Sequence, residues 1–226
     1  MKNTAMHEQP NLALLGLVPP GLARVVEVGC SSGALAVAFL GSNPGCEYIG
    51  IEVEPEYAAA AEEHCTEVVV ADIEKMDDHA FEILFPTDCW IFGDVLEHLY
   101  DPWRVLRRIR ASMPQSGSVV ACIPNAQHWS FQARLNAGRL RYEDAGLFDR
   151  THIRWFTRAT IVELFETSGY AIEEIGGVVY DDPHARPEMA GVRAFAEATG
   201  GDAQAAERDA APLQWLVRAR PASLLA

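Results

Sequence analysis

No run of apolar residues in this 226-residue chain approaches the ~20 needed to cross a membrane as a helix. Positive charge is also scarce. Lys and Arg number 18 against 32 Asp and Glu, a formal net charge of −14. That deficit argues against a nucleic-acid partner, whose phosphates are bound by neutralisation. The cysteines Cys30, Cys46, Cys65, Cys89 and Cys122 contain no C-x-x-C pair. They are expected as reduced, mostly buried thiols, without a structural zinc site. The opening segment Met1–Pro10, with Lys2, His7 and Glu8, leads into a short apolar run that ends at Pro19-Pro20. It lacks the basic stretch and small-residue cleavage site of a signal peptide. We expect it to pack on the core or over a ligand, and we expect the chain to be cytoplasmic.

What is present is an alternation of short β-rich runs and helical stretches, which predicts a parallel sheet covered on both faces. Strands are predicted at 24–29 (RVVEVG), 47–52 (EYIGIE), 67–71 (EVVVA), 88–93 (DCWIFG) and 117–123 (GSVVACI). Helices are predicted over 34–40, from Pro55 onward, and from Pro102 to Ala111, both prolines falling in a first turn. From 125 to 157 the alternation breaks, and a substrate or lid insertion is expected there. Thr157 then caps a helix over 158–168 that ends at Gly169, and strands follow at 170–179 and 213–220. The Ala-, Pro-, Gly- and acid-rich stretch 181–210 reads as a surface excursion with one short helix. One α/β domain over 1–226 is the expectation, and no feature specifies an oligomeric state.

The segment Val25-Val26-Glu27-Val28-Gly29-Cys30-Ser31-Ser32-Gly33 puts an acid at a strand end, then a turn with G-x-x-x-G spacing, then a helix. Ser31 stands where a dinucleotide fingerprint needs its second glycine. An acid ahead of such a turn suits an amino-acid ammonium better than a pyrophosphate. Glu52 ends the next strand, about 20 residues on, where a carboxylate in such sheets accepts both hydroxyls of a ribose. Asp72 and Asp94 follow the third and fourth strands. Carboxylates repeated at the same ends of successive strands face one crevice.

On these residues the chain resembles class I, Rossmann-like S-adenosylmethionine-dependent methyltransferases over nearly its full length. The resemblance implies a three-layer α/β/α fold whose mostly parallel seven-stranded sheet has an antiparallel last strand. It implies S-adenosylmethionine as cofactor and S-adenosylhomocysteine as product. Glu27, Gly29, Cys30, Ser31 and Gly33 would lie at the methionine end. Glu52 would hold the ribose with Val53 beside it, and Asp72 and Ile73 would flank the adenine. Phe92, Gly93 and Asp94 would approach from strand four. Cys30-Ser31-Ser32 departs from the Gly or Ala of many relatives, but the side chains remain small.

Just past strand four, Asp94, Glu97 and His98 form a D-x-x-E-H segment. It is similar to one in ubiquinone-pathway O-methyltransferases, where the resemblance implies a divalent metal at these three positions. Other relatives carry it without one, so the metal is left open. More distinctive are Ile123-Pro124-Asn125-Ala126-Gln127-His128 and Gly146-Leu147-Phe148-Asp149-Arg150-Thr151-His152-Ile153-Arg154-Trp155-Phe156-Thr157. Both resemble a bacterial subgroup often associated with glycosyltransferases and sugar pathways. Methyl transfer to a hydroxyl needs an aligned oxygen and a group to take its proton. His152, His98 and His128 are the candidates, His152 first because Asp149 stands three residues before it and can orient an imidazole. A turn that merely orders the loop competes with that role.

Arg134, Arg139, Arg141, Arg150, Arg154 and Arg158 cluster in an otherwise acidic chain. They suit an anionic acceptor, or else pair internally with Glu143, Asp144 and Asp149. The expected activity is O-methylation of a sugar, glycoconjugate or other small hydroxylated metabolite. N-methylation, carboxyl O-methylation and a non-catalytic cofactor-binding module are the alternatives.

Overall fold

The computed structural model describes residues 6–181 and 186–223. Lys2 and the rest of 1–5, and residues 182–185 of the expected excursion, lie outside them. The elements run α1 Leu12–Leu15, β1 Arg24–Val28, α2 Ala34–Leu40, β2 Glu47–Glu52, α3 Pro55–Ala61, β3 Glu67–Val70, α4 Asp78–Glu82 and β4 Cys89–Gly93. After a 3-10 turn at Leu96–His98 come α5 Pro102–Ser112, β5 Ser118–Pro124, α6 Trp129–Asn136, α7 Arg158–Thr167, β6 Tyr170–Val178, α8 Pro187–Ala198, α9 Ala203–Ala210 and β7 Gln214–Pro221.

The strands form one sheet in the order β3-β2-β1-β4-β5-β7-β6. Pairings among β1 to β5 are parallel, while β7 runs antiparallel to both β5 and β6. This is the mostly parallel seven-stranded sheet with a reversed last strand. Its faces follow from alternation along each strand. Val26, Val28, Trp90 and Phe92 pack with Phe81, Leu106, Ile109, Ile161 and Leu164 on one side. Val25, Tyr48, Ile91 and Val120 pack with Leu14, Leu35 and Phe39 on the other. Continuous apolar strands buried on both faces are what a doubly covered parallel sheet requires.

One stretch differs from the sequence reading, and another packs on the core as expected but adds a helix. The excursion at 181–210 holds two helices, α8 and α9, which bury Met189, Val192 and Ala210 against Trp129 of α6. Their alanines are good helix formers that give little amphipathic signal of their own, so tertiary packing decides. The lead-in contributes α1, capped by the Asn11 side chain, with Leu14 and Leu17 buried on the core. Four of the five cysteines are buried and all five are free thiols. No helix among the described residues is long and apolar enough to cross a membrane.

Candidate active site

The strand order reverses between β1 and β4, and there a cavity of about 540 Å³ opens at the carboxyl ends of the strands. Gly29, Ser31, Glu52, Val53, Asp72, Ile73, Gly93 and Asp94 line it. Glu52 is the most fully supported of them. One carboxylate oxygen accepts the Ser31 N–H at 2.9 Å, and the other those of Val53 and Glu54 at 2.8 and 3.0 Å. The glycine turn and the second strand are thereby fastened together. Asp72 accepts the Glu74 N–H at 3.0 Å and pairs with Lys75 at 2.5 Å. Gly29 has φ +71, and a Cβ there would meet the Val95 side chain at 2.6 Å. Ser31 and Asp94 also have positive φ, at 50° and 55°. Non-glycine strain of this kind persists where the surroundings hold it, often at functional sites.

Glu27, Cys30, Gly33 and Phe92 do not line the cavity, contrary to the sequence expectation. Side chains alternate across the sheet, so Glu27 points to the α2 face, where it accepts the Tyr48 hydroxyl at 2.8 Å. Burial pushes its carboxyl up to about 8, with the Tyr48 bond opposing. Cys30 packs on Gly50, Gly33 seats against Ala61 and His64, and Phe92 belongs to the core.

The far end of the cavity is lined by His98, Gly146, Leu147, Asp149, Thr151 and His152. From the segment 125–157, residues between Gly146 and His152 contribute to its wall. Asn125 and Phe156 bridge in parallel, as do Glu143 and Asp149. Buried Asn125 donates from Nδ2 to the carbonyls of Asp209 and Pro212, both at 2.7 Å. The Glu97 carbonyl accepts the Ile153 and Arg154 N–H groups at 3.0 and 2.9 Å, holding His152 next to Glu97. His152 Nε2 stands 3.8 Å from Glu97 Oε1, and the His98 and His152 rings meet edge-on with centroids 4.8 Å apart. Burial lowers the pKa of both histidines, and the neighbouring His98 charge depresses His152 further. Glu97, 1% exposed, is driven well above the carboxylate range by burial and by Asp94.

Several expectations at this end are corrected. Asp149 does not orient His152: its carboxylate folds back onto the Thr151 N–H and hydroxyl, at 2.8 and 2.6 Å, as an Asp beginning a turn does. His152 Nδ1 instead faces the Leu147 carbonyl at 3.2 Å. His128 lies outside the cavity lining and caps α6 through Ser130, and burial takes its pKa down to about 4. The set Asp94, Glu97 and His98 does not assemble as the donor group the ubiquinone-type segment implies. Asp94 accepts Gln214 Nε2 at 2.6 Å, and burial raises it to about 6.

Among the described residues, no arginine or lysine lines the cavity. Arg134 pairs with Glu143 and covers the Phe148 ring, Arg150 pairs with Asp144, and Arg154 donates to the Tyr100 carbonyl. Arg158 lies 5.9 Å from the Trp215 ring centroid, and Arg139 and Arg141 are exposed. The internal-pairing alternative thus describes Arg134 and Arg150. The sequence reading missed His7 and Gln214. The His7 N–H bonds Ser31 Oγ at 2.8 Å and its residue lines the cavity, while Gln214 reaches Asp94 from the start of β7. Neither stands in a motif, and only the folded chain brings them there.

A family model described as a methyltransferase domain matches residues 6–175. No curated protein matches the chain. Among solved structures, an S-adenosylmethionine-dependent methyltransferase from Mesorhizobium loti is 20% identical with TM-score 0.60, over 92% of this chain and 96% of that one. The putative methyltransferase complexed with the Haloferax volcanii Trm112 activator is 15% identical with TM-score 0.63, over 94% and 88%. A mitomycin 7-O-methyltransferase is 19% identical with TM-score 0.58 over 93% of this chain, which spans only 54% of that one.

Proposed function

The chain belongs to the methyltransferase domain family, with S-adenosylmethionine as methyl donor, and from that premise we propose that it O-methylates a small hydroxylated acceptor. The single observation that carries this reading is the histidine pair at one end of a cavity whose other end is built from Gly29, Ser31, Glu52 and Asp72. The room, the glycine turn and the Glu52 carboxylate fit the cofactor. When bound it supplies a methyl group on a sulfonium, and the acceptor must lose a proton as it takes that methyl.

Glu52 and Ser31 hold the ribose side of the cofactor in this reading, and Asp72 and Ile73 the base. His152, with His98 beside it, receives the acceptor's proton. Their burial keeps both rings neutral near pH 7, the form that can accept one. The 125–157 segment walls off the acceptor and excludes water. A sugar or glycoconjugate is the acceptor favoured by the I-P-N-x-x-H and G-L-F-D-R-T-H segments, in a cytosolic setting that suits free thiols. One observation favours a second reading, N-methylation of an amine: Asp94 and Asp149 line the cavity, and among the described residues no lysine or arginine does. Replacing His152 by Ala should lower turnover by roughly 10²–10⁴-fold. Calorimetric affinity for S-adenosylhomocysteine should hold. Full turnover in that variant removes His152 from the proton path, and a panel of hydroxylated sugars set against primary amines separates the two acceptor classes.

A further inference from the structure

We propose that Glu97, His98 and His152 form a divalent transition-metal site at the acceptor end of the cavity; this rests on the methyltransferase reading above and replaces the free-base role given there to His152. A ring nitrogen of each histidine and a Glu97 oxygen all lie within 4.8 Å of one another. Neither oxygen of Glu97 has a hydrogen-bond partner outside its own residue, although both are fully buried. A buried carboxylate left without partners is rare enough to require an explanation. Hydrogen bonding narrows the choice. His98 Nδ1 faces the Thr151 carbonyl at 3.1 Å, and His152 Nδ1 the Leu147 carbonyl at 3.2 Å. A carbonyl only accepts, so each ring carries its proton on Nδ1 and keeps a lone pair on Nε2. Metal-ligating histidines are fixed by the same kind of outer bond.

With Glu97 ionised the cluster gathers acceptors with no donor among them; in the neutral acid a proton occupies the place a cation would take. A cation resolves it. The main chain already holds the set together through the bonds from Ile153 and Arg154 to the Glu97 carbonyl. Both histidines line the cavity and Glu97 does not. Coordination positions on the open side would thus face the acceptor. Two imidazoles and one carboxylate suit zinc, manganese, iron or cobalt better than magnesium or calcium, which prefer oxygen throughout. With bonds of about 2.1 Å, ligand atoms stand roughly 3–3.5 Å apart, so the most distant pair closes by up to roughly 1.3–1.8 Å on loading. A cation here would lower the pKa of a bound hydroxyl so that its proton leaves to bulk water before the oxygen takes the methyl group, and His152 would serve as ligand in place of free base. His152 also takes the place that the sequence resemblance gives to Asp94.

The test is titration of tag-free, chelator-stripped full-length protein with Co²⁺, followed by visible absorption, with Zn²⁺ as competitor. S-adenosylhomocysteine calorimetry on every sample reports the fold. The site predicts one saturable equivalent with a visible ligand-field band. Glu97→Gln and His152→Ala should each weaken Co²⁺ at least about 100-fold while keeping S-adenosylhomocysteine affinity. If one variant loses that affinity, the other decides. Wild-type protein that binds S-adenosylhomocysteine but neither cation at millimolar concentration overturns the metal site and leaves the methyltransferase reading standing. Cation affinity unchanged in a folded variant also overturns it. Wild type that takes up Co²⁺ as described but not S-adenosylhomocysteine supports the site and sinks the functional reading instead.

Discussion

The strand-borne half of the cavity and the loop-borne half treat their carboxylates in opposite ways. At the end proposed for the cofactor, Glu52 accepts three main-chain N–H groups before any ligand arrives. At the acceptor end Glu97 is buried with neither oxygen partnered outside its own residue. A charge held by fixed donors is preorganised for binding, whereas a buried acceptor without a donor is destabilising until something fills the gap. The first half is finished by its own backbone, and the second is completed by what enters.

Glu27 gives the sharpest way to break this comparison, because it is buried within the strand-borne half yet held by a single Tyr48 hydroxyl. Its folded pKa of about 8 stands above the ordinary value of 4.5. Between those values the folded protein keeps a proton that the unfolded chain has released. The contribution of this group to stability is therefore greatest below pH 4.5 and falls as pH rises to 8, by on the order of 4 kcal/mol. Urea midpoints of wild type and Glu27→Gln across that range should diverge as pH rises, the variant lacking this slope. Parallel curves would mean that Glu27 is ionised and as well compensated as Glu52.

Next in size is Glu52→Ala, which removes the acceptor of three backbone donors and the group assigned to the ribose. The turn at Ser31 loses its tie to β2, and S-adenosylhomocysteine affinity should fall about 100-fold, near 3 kcal/mol. Unchanged calorimetric affinity would defeat the ribose assignment.

Asn125→Ala tests how the loop-borne wall is fastened. It leaves the carbonyls of Asp209 and Pro212 without their shared donor, at a cost of about 2 kcal/mol. If the acceptor lies against that wall as proposed, thermal stability and acceptor KM should both suffer, with cofactor affinity spared. Equal damage to cofactor binding would show that the two halves are coupled.

The strand-borne half was legible because its signals are local: apolar runs, the G-x-x-x-G turn and an acid at each strand end all lie within a few residues. Those patterns place Gly29, Ser31, Glu52 and Asp72 around one cavity. They do not say which face of β1 Glu27 occupies relative to a ligand, since alternation alone leaves the two faces equivalent. The loop-borne half depends on distant partners. Asn125 meets Asp209 and Pro212, Asp94 meets Gln214, and Glu97 meets His152. No periodicity encodes such pairs. The D-x-x-E-H and D-R-T-H segments were each visible alone, but their meeting is a property of the fold.

The smallest effect separates two histidines that the sequence could not rank by environment. His128 and His152 are both 7% exposed, yet only His152 lines the cavity. His128 Nδ1 lies 2.7 Å from Ser130 Oγ and caps α6. Its loss should therefore cost about 1 kcal/mol, the ordinary value of a helix cap. His128→Ala should lower the melting temperature by a few degrees. Turnover per folded molecule should stay within about twofold of wild type, far from the loss expected at His152. A turnover defect matching that of His152→Ala would place the reacting end nearer α6 and dissolve the division between cap and site.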